Sequence, residues 1–149
     1  MADAKIVYDT SFYIEFFRSK SFALSVRSRY EADIPVTVFS SVVEQELLAG
    51  ATDQLKVAAV EGLYRPFERT RRIVTPSHSI WQQAGRALGT MRRTRRDLVD
   101  RLGGSFVNDL LIALSARSVG ARVVTLNADD FRMIAKYVPL RIEVLQPQG

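Results

Sequence analysis

The chain has 149 residues, of which 47% are hydrophobic and 25% charged, and its formal net charge is +5 at pH 7. This length suits one domain with its own hydrophobic core, and the composition is that of an ordinary globular protein. The chain has no cysteine, which excludes disulfides and thiolate zinc sites, and no apolar run of about 18 residues, which excludes a membrane-spanning helix.

The first half of the chain alternates short apolar segments with helical patterns. Strands are expected where β-branched residues run together, and Thr10 or Ser11 is placed to cap the first helix. The predicted order is strand KIVYD, helix FYIEFFR, helix SFALSVRSRYEA, strand PVTVFS, helix SSVVEQELLAG, helix ATDQLKVAAVEGLY and strand RRIVTP.

The second half continues the alternation. Its predicted order is helix SHSIWQQAGRALGTMRRTRRDLV, a break at LGGS, helix SFVNDLLIALSARSVG, strand ARVVTL, helix NADDFRMIAKY and strand LRIEVL. Strands separated by helices form parallel sheets. We therefore predict an α/β fold, a single domain over residues 1–149 with a mostly parallel central sheet flanked by helices on both faces, and a short flexible tail at 146–149.

Acidic residues recur where the predicted strands end. Asp9 follows the first strand, and Glu44 and Glu46 lie in the helix after the second. Three polar residues follow the strand VVTL, namely Asn127, Asp129 and Asp130, and Asp109 lies at the start of the helix before that strand. Because ligands of open α/β sheets bind outside the carboxyl ends of the strands, we expect these side chains at one edge.

Carboxylates gathered at one edge repel each other, and a divalent cation removes that repulsion. Mg²⁺ takes oxygen ligands, usually one or two carboxylates with several waters. Such an ion activates water for attack on a phosphate. The positive net charge indicates a polyanionic partner such as RNA. Arg92, Arg93, Arg95 and Arg96 are the residues that we predict to hold its backbone.

Three segments resemble the motifs of PIN domains in order and at matching intervals, over nearly the whole chain. They are IVYDTSFYIEFF, SSVVEQELLAG and FVNDLLIALSARSVGARVVTLNADDF. In length and ending the chain looks most like VapC-type toxins of bacterial toxin–antitoxin pairs. The resemblance implies a metal-dependent endoribonuclease that uses Mg²⁺ or Mn²⁺, forms a homodimer and is inhibited by a small antitoxin.

Carried over to this chain, the resemblance implies site residues at the matching motif positions. Asp9, Glu46, Asp109 and Asp130 would be catalytic, with Asp9 and Asp109 on the metal and with Ser11, Asn127 and Asp129 in support. Many PIN domains have Asp where this chain has Asn127, so the fourth acid is the least determined position, and Asp129 is a substitute for Asp130.

Simpler roles compete with these assignments. Asp9 and Asp109 could each cap a helix, Glu46 could be a solvated helix residue, and Asn127 could be a turn residue. At the level of function, the alternatives are a PIN nuclease of RNA processing or decay without an antitoxin, and a non-catalytic RNA-binding module. The opening MADAK lacks the layout of a signal peptide, so we expect a cytoplasmic protein without a membrane anchor.

Overall fold

A three-stranded parallel sheet lies at the centre of the computed structural model, which describes residues 4–147. Its strands are β1 (Lys5–Tyr8), β4 (Ala121–Thr125) and β5 (Ile142–Val144), in the order β1-β4-β5. Lys5 pairs with Ala121, and Val123 pairs with Ile142. The prediction of a parallel sheet within an α/β fold is confirmed.

A second, smaller parallel sheet joins β2 (Phe39–Ser40) to β3 (Ile73–Val74). Just before β2, an isolated backbone bridge joins Thr37 to Ile6 of the central sheet, and the Val38 amide donates to the Ile6 carbonyl at 2.8 Å. Segment PVTVFS, predicted as one strand, is therefore mostly a connection to a two-residue strand, because Pro35 lies within a short 3₁₀ helix, Ile34–Val36.

Helices surround the two sheets. Those in the described range are α1 (Thr10–Arg18), α2 (Lys20–Asp33), α3 (Ser41–Gly50), α4 (Gln54–Arg69), α5 (His78–Thr94), α6 (Gly104–Ser118) and α7 (Ala128–Ala135). A second 3₁₀ helix, Arg96–Arg101, precedes α6 within the segment predicted as the end of α5. Across residues 4–147, no helix is both long and apolar enough to cross a membrane.

Helix α6 is the core helix of the fold. Every residue from Asp109 to Ala116 is buried, so the helix is enclosed on all sides rather than along one stripe. Gly120 then turns the chain into β4 with a φ of 71°, a conformation that glycine adopts at no steric cost. The consequence for the site is a carboxylate, Asp109, fixed on the most enclosed helix of the protein.

Side chains cap the helices that follow β1 and β2. Asp9, rather than Thr10 or Ser11, is the N-cap of α1, and Ser40 is the N-cap of α3. Helix α6 begins after Gly103, so Asp109 lies inside the helix and does not cap it. Of the predicted flexible tail at 146–149, residues 148–149 lie outside the described range, as do the first three residues of MADAK.

Candidate active site

Asp9 lies at the carboxyl end of β1 and is 1% exposed. Ser11 Oγ donates to its carboxylate at 2.7 Å, Thr125 Oγ1 donates at 2.6 Å, and the Phe12 amide donates at 3.2 Å. Burial raises the pKa of Asp9 to about 6, although these hydrogen bonds favour its charged form. Asp9 is thus both the cap of α1, as the simpler reading held, and a buried acid held in one orientation.

Asp109 reaches the same edge from α6 and is 6% exposed. Its Oδ2 accepts a hydrogen bond of 3.0 Å from Asn127 Nδ2. Burial, followed by the negative charge of Asp9, raises the pKa of Asp109 to about 8, and the charges of Asp130 and Glu46 act in the same direction. The fold therefore places four acids from four segments close enough to repel one another.

Glu46 extends from α3, and its Oε1 accepts a hydrogen bond of 2.5 Å from Thr10 Oγ1. Glu44 lies in a different environment, because burial and the charge of Glu68 on α4 raise its pKa. The two glutamates that the sequence offered are therefore separated by the fold, and Glu46 is the one beside Asp9 and Asp109.

Three polar residues follow β4 and have different surroundings: Asn127, Asp129 and Asp130. Asp130 Oδ2 accepts from Asn127 Nδ2 at 3.1 Å, and Asp130 Oδ1 accepts from Arg101 Nη2 at 2.9 Å. Asp129 is exposed and lines a separate pocket. The structure thus brings Asp130 into the acidic cluster (Asp9, Glu46, Asp109 and Asp130) and leaves Asp129 outside it. Asn127 faces the cluster with its side-chain amide nitrogen, which donates to both Asp109 and Asp130.

The donor set of the acidic cluster fits a hard divalent cation. Two of its carboxylates are buried and repel each other, and an ion held by one or two carboxylates with waters is the usual arrangement for Mg²⁺. Within residues 4–147, no group of three acidic or histidine side chains is arranged to hold an ion. Asp9 and Asp109 are the two buried acids of the cluster, so a cation between them would offset the charge that is farthest from solvent.

The arginines predicted to hold RNA lie at the end of α5 and the start of the 3₁₀ helix that follows. Arg92, Arg93, Arg95 and Arg96 are all exposed. Arg95 pairs with Asp97 at 2.8 Å, and Arg93 donates to Thr90 at 3.3 Å. The arginine that contacts the acidic cluster is instead Arg101, which the sequence groups with these four but which was not predicted as a site residue.

Sequence reasoning also missed two hydroxyls, Thr10 and Thr125. Both lie within the quoted motifs, directly after β1 and at the end of β4, so their positions were a usable signal. Thr125 is fully buried. Its Oγ1 donates to Asp9 and also accepts a hydrogen bond of 2.8 Å from the backbone amide of Asn127. It links the two strand ends that carry the site.

An apolar groove of about 540 Å³ lies beside Glu46, between α1, α3 and α4. Its walls include Ile14, Phe17 and Leu55, which are 50%, 46% and 85% exposed. Arg18 and Lys56 lie at its rim. Exposed apolar side chains gathered in one groove are characteristic of a binding surface.

Comparisons with known proteins agree with this fold. The PIN domain family model matches residues 6–137. Among solved structures, a chain of DNA-bound VapBC from Salmonella typhimurium has a TM-score of 0.69 at 23% identity, covering 95% of this chain and 98% of that chain. VapBC-1 from nontypeable Haemophilus influenzae has a TM-score of 0.66 at 24% identity, covering 93% of this chain and 96% of that chain. VapBC2 from Rickettsia felis, bound to a promoter DNA fragment, has a TM-score of 0.56 at 21% identity, covering 95% of this chain and 98% of that chain. No curated protein matches the chain significantly.

Proposed function

The chain belongs to the PIN domain family, and from this premise we propose that it is a metal-dependent endoribonuclease and the toxin of a toxin–antitoxin pair. The observation that carries the proposal is the acidic cluster, in which buried Asp9 and Asp109 face each other's charge at the carboxyl edge of the sheet. Such an arrangement is costly for folding alone, because buried like charges destabilise a protein unless a cation offsets them.

Asp9 and Asp109 would hold Mg²⁺ or Mn²⁺, which when bound lowers the pKa of a coordinated water and polarises a phosphate oxygen. Ser11 and Thr125 hold Asp9 in one orientation and favour its charged form against the effect of burial, because both donate hydrogen bonds to its carboxylate. Asn127 orients Asp109 in the same way. In metal sites generally, supporting hydrogen bonds of this kind fix the orientation of the ligand side chains, and Ser11, Thr125 and Asn127 would have that role here.

The two outer acids have a different place in the proposal. Glu46 and Asp130 stand at the edges of the cluster, each half-buried and hydrogen-bonded to a neighbour that solvent or substrate could replace. A half-buried carboxylate beside a buried pair is suited to accept a proton from the attacking water or to hold a water in line. We assign to Glu46 and Asp130 the role of accepting this proton or positioning this water.

A cleavage assay tests the enzymatic part. Purified protein is incubated with total RNA in Mg²⁺ or Mn²⁺, with EDTA as the metal-free condition. Asp9→Asn, Asp109→Asn and Glu46→Gln are each expected to lower the cleavage rate by roughly 10² or more. Glu44→Gln is the matched control, because this neighbouring glutamate of α3 faces α4 instead of the cluster.

Absence of cleavage by folded wild type in either metal would contradict the enzymatic proposal. If the same protein retarded RNA in a gel, the non-catalytic RNA-binding module would take its place. Asn127, where many PIN domains carry an acid, is the observation that favours this second candidate.

The antitoxin part is supported by the apolar groove beside Glu46. A helix or extended segment of a small protein that filled this groove would bury Ile14, Phe17 and Leu55 and would lie next to the acidic cluster. Its test is co-expression with the small protein encoded beside this chain, followed by cleavage assays of the purified complex. Inhibition by that protein supports the toxin, whereas unchanged cleavage supports a PIN nuclease of RNA processing or decay.

The homodimer implied by the family resemblance is also part of the proposal. Besides the groove residues, Leu24 and Trp81 are exposed, at 73% and 56%, so apolar surface remains for a second copy after an antitoxin has bound. Sedimentation velocity of the purified chain tests this, and a monomer at micromolar concentration would contradict it.

A further inference from the structure

A second pocket, of about 320 Å³, is lined by Arg101, which pairs with Asp130 of the acidic cluster. Four cationic side chains line it, and we call it the basic pocket: Arg95, Arg101, Arg132 and Lys136. Asp129 is the one acid among its lining residues, and buried Leu98 forms part of its floor. The pocket therefore carries an excess of positive charge next to a cluster of negative charge.

The secondary structure explains why these cations converge. Residues three apart line up on a 3₁₀ helix, so Arg95, Leu98 and Arg101 share one face of Arg96–Arg101 and its flank. Residues four apart line up on an α-helix, so Arg132 and Lys136 share one face at the end of α7. The two faces are turned toward each other across the pocket.

Arg101 connects the basic pocket to the acidic cluster. Its Nη2 donates to Asp130 Oδ1 at 2.9 Å, and Asn127 continues the chain of hydrogen bonds from Asp130 to Asp109. A guanidinium has five N–H donors, so this contact leaves Arg101 able to donate into the pocket as well. The basic pocket is thus one side chain away from the acidic cluster.

Two of the pocket's four cations have an acidic partner and two do not. Within the described residues, Arg95 is paired with Asp97 and Arg101 with Asp130, whereas neither Arg132 nor Lys136 forms an ion pair. Because Asp129 also lines the pocket, a small net positive charge remains. Arg132 and Lys136 both lie at the C-terminal end of α7, where positive charge also suits the helix dipole. Their arrangement matches an anion larger than a carboxylate, since arginine and lysine from two elements can reach different oxygens of one phosphate.

We propose that the basic pocket binds the backbone phosphate of the nucleotide next to the scissile bond of single-stranded RNA. The proposal rests on the proposed nuclease function and adds where the substrate enters. It assigns the RNA path to Arg101, Arg132 and Lys136 instead of Arg92, Arg93 and Arg96 on the neighbouring segment. Since phosphate contacts carry no sequence information, the pocket sets the register of the strand and not the choice of target.

The test is a measurement of RNA binding in EDTA, where cleavage does not compete, with a labelled single-stranded RNA and fluorescence anisotropy over a series of salt concentrations. Both Arg132 and Lys136 are exposed, so Arg132→Ala/Lys136→Ala should retain the fold. The matched control is Arg69→Ala/Arg86→Ala, which removes the same charge from exposed positions of α4 and α5 outside the pocket.

We expect the pocket variant to bind RNA roughly tenfold more weakly than wild type and the control to bind within about twofold. The slope of log affinity against log salt should fall by about 0.7 in the pocket variant, the value for one phosphate on a single strand, and should stay unchanged in the control. In Mg²⁺, the pocket variant should raise KM with little change in kcat, because its two side chains are away from the reacting atoms.

Equal behaviour of the two double variants would overturn the basic pocket as a phosphate site. If wild type still cleaves RNA in that case, the proposed function stands and only the pocket assignment falls. If wild type neither binds nor cleaves RNA, both proposals fall together. A fall in kcat at unchanged KM would also overturn the assignment, since it would place these residues in the chemical step.

Discussion

Asn127 Nδ2 lies 3.0 Å from Asp109 Oδ2 and donates a hydrogen bond to it. The same nitrogen donates to Asp130 at 3.1 Å, so one neutral amide sits between two acids. Many PIN domains have an aspartate at this position, and an aspartate here would add a third negative charge beside Asp109 and Asp130. The amide lowers the repulsion within the acidic cluster, and it does so without contributing charge to a bound metal.

Substitution of Asn127 should therefore have opposite effects with and without metal. In EDTA, Asn127→Asp should lower the free energy of unfolding by about 1–3 kcal/mol, more than Asn127→Ala does, because it adds a like charge as well as removing a donor. In Mg²⁺ the order should reverse, since the new carboxylate can face the ion. Urea denaturation of both variants in the two conditions measures this, and the same order in both would contradict it.

The two buried acids should respond differently to neutralisation. In EDTA, Asp9→Asn should lower the free energy of unfolding by about 1 kcal/mol, because the loss of hydrogen bonds from Ser11, Thr125 and the Phe12 amide outweighs the relief of burying its charge. Asp109→Asn should raise it by about 1 kcal/mol, because burial and neighbouring charge already disfavour its charged form.

The same pair of variants also tests metal binding directly. Wild type should gain thermal stability on addition of Mg²⁺ or Mn²⁺, as any ligand of the native state stabilises it, and both variants should lose this gain. Differential scanning fluorimetry over a metal titration measures the effect. An unchanged gain in both variants would show that the ion binds elsewhere.

The apolar groove predicts a separation of inhibition from catalysis. Phe17→Asp or Leu55→Glu places a charge in the groove, and each should weaken binding of the proposed antitoxin by roughly 10-fold or more while leaving the nuclease activity of the free protein unchanged. Both side chains are substantially exposed, so folding should be preserved. Leu24→Glu on α2, exposed outside the groove, is the control. Loss of activity of the free protein in the groove variants would argue against this separation.

The Arg29–Glu143 ion pair gives the protein a predictable response to acid. Glu143 accepts from Arg29 at 2.5 and 2.8 Å, and these hydrogen bonds hold its pKa below the usual range. A carboxyl whose folded-state pKa is lowered stabilises the protein above its unfolded pKa, and this contribution is lost as the pH falls through the folded value.

Glu143→Gln should thus cost about 1 kcal/mol at pH 7, a value reduced for partial exposure, and the cost should shrink as the pH falls below the ordinary pKa of a glutamate. Glu31→Gln removes the more exposed pair with Arg27 and should cost less than about 0.5 kcal/mol at any pH. Denaturation at a series of pH values tests both. A cost for Glu143→Gln that does not change with pH would show that packing, and not charge, is responsible.

Much of the fold could be predicted because the signals were local. The strands β1 and β4 are short apolar runs, and α6 follows a glycine break. Asp9 and Asp109 stood out because a carboxylate inside apolar sequence needs a compensating partner. The glutamate of α3 could be assigned only through the family motif, because Glu44 and Glu46 are alike in the sequence itself. Their different neighbours arise from tertiary packing.

The contacts that the sequence did not reveal are those between distant segments. Arg101 meets Asp130 across 29 positions of sequence, and Thr10 meets Glu46 across 36. The 3₁₀ helix that positions Arg101 directly follows the long helix α5. The sequence pattern predicts one continuous helix there, so it does not indicate which residues share a face with Arg101. Likewise, the orientation of Asn127 depends on two acids from different segments, whose positions only the folded chain defines.

The bridge between Ile6 and Thr37 is the one isolated backbone pairing between the two sheets in the described part of the chain, so side-chain packing carries much of the rest of the connection. Glu46 lies on α3, which packs against α1 and α6. Asp9 caps α1 and Asp109 lies on α6. The position of Glu46 relative to the two buried acids is therefore set by the packing of helices, whereas Thr125 at the end of β4 fixes Asp9 directly.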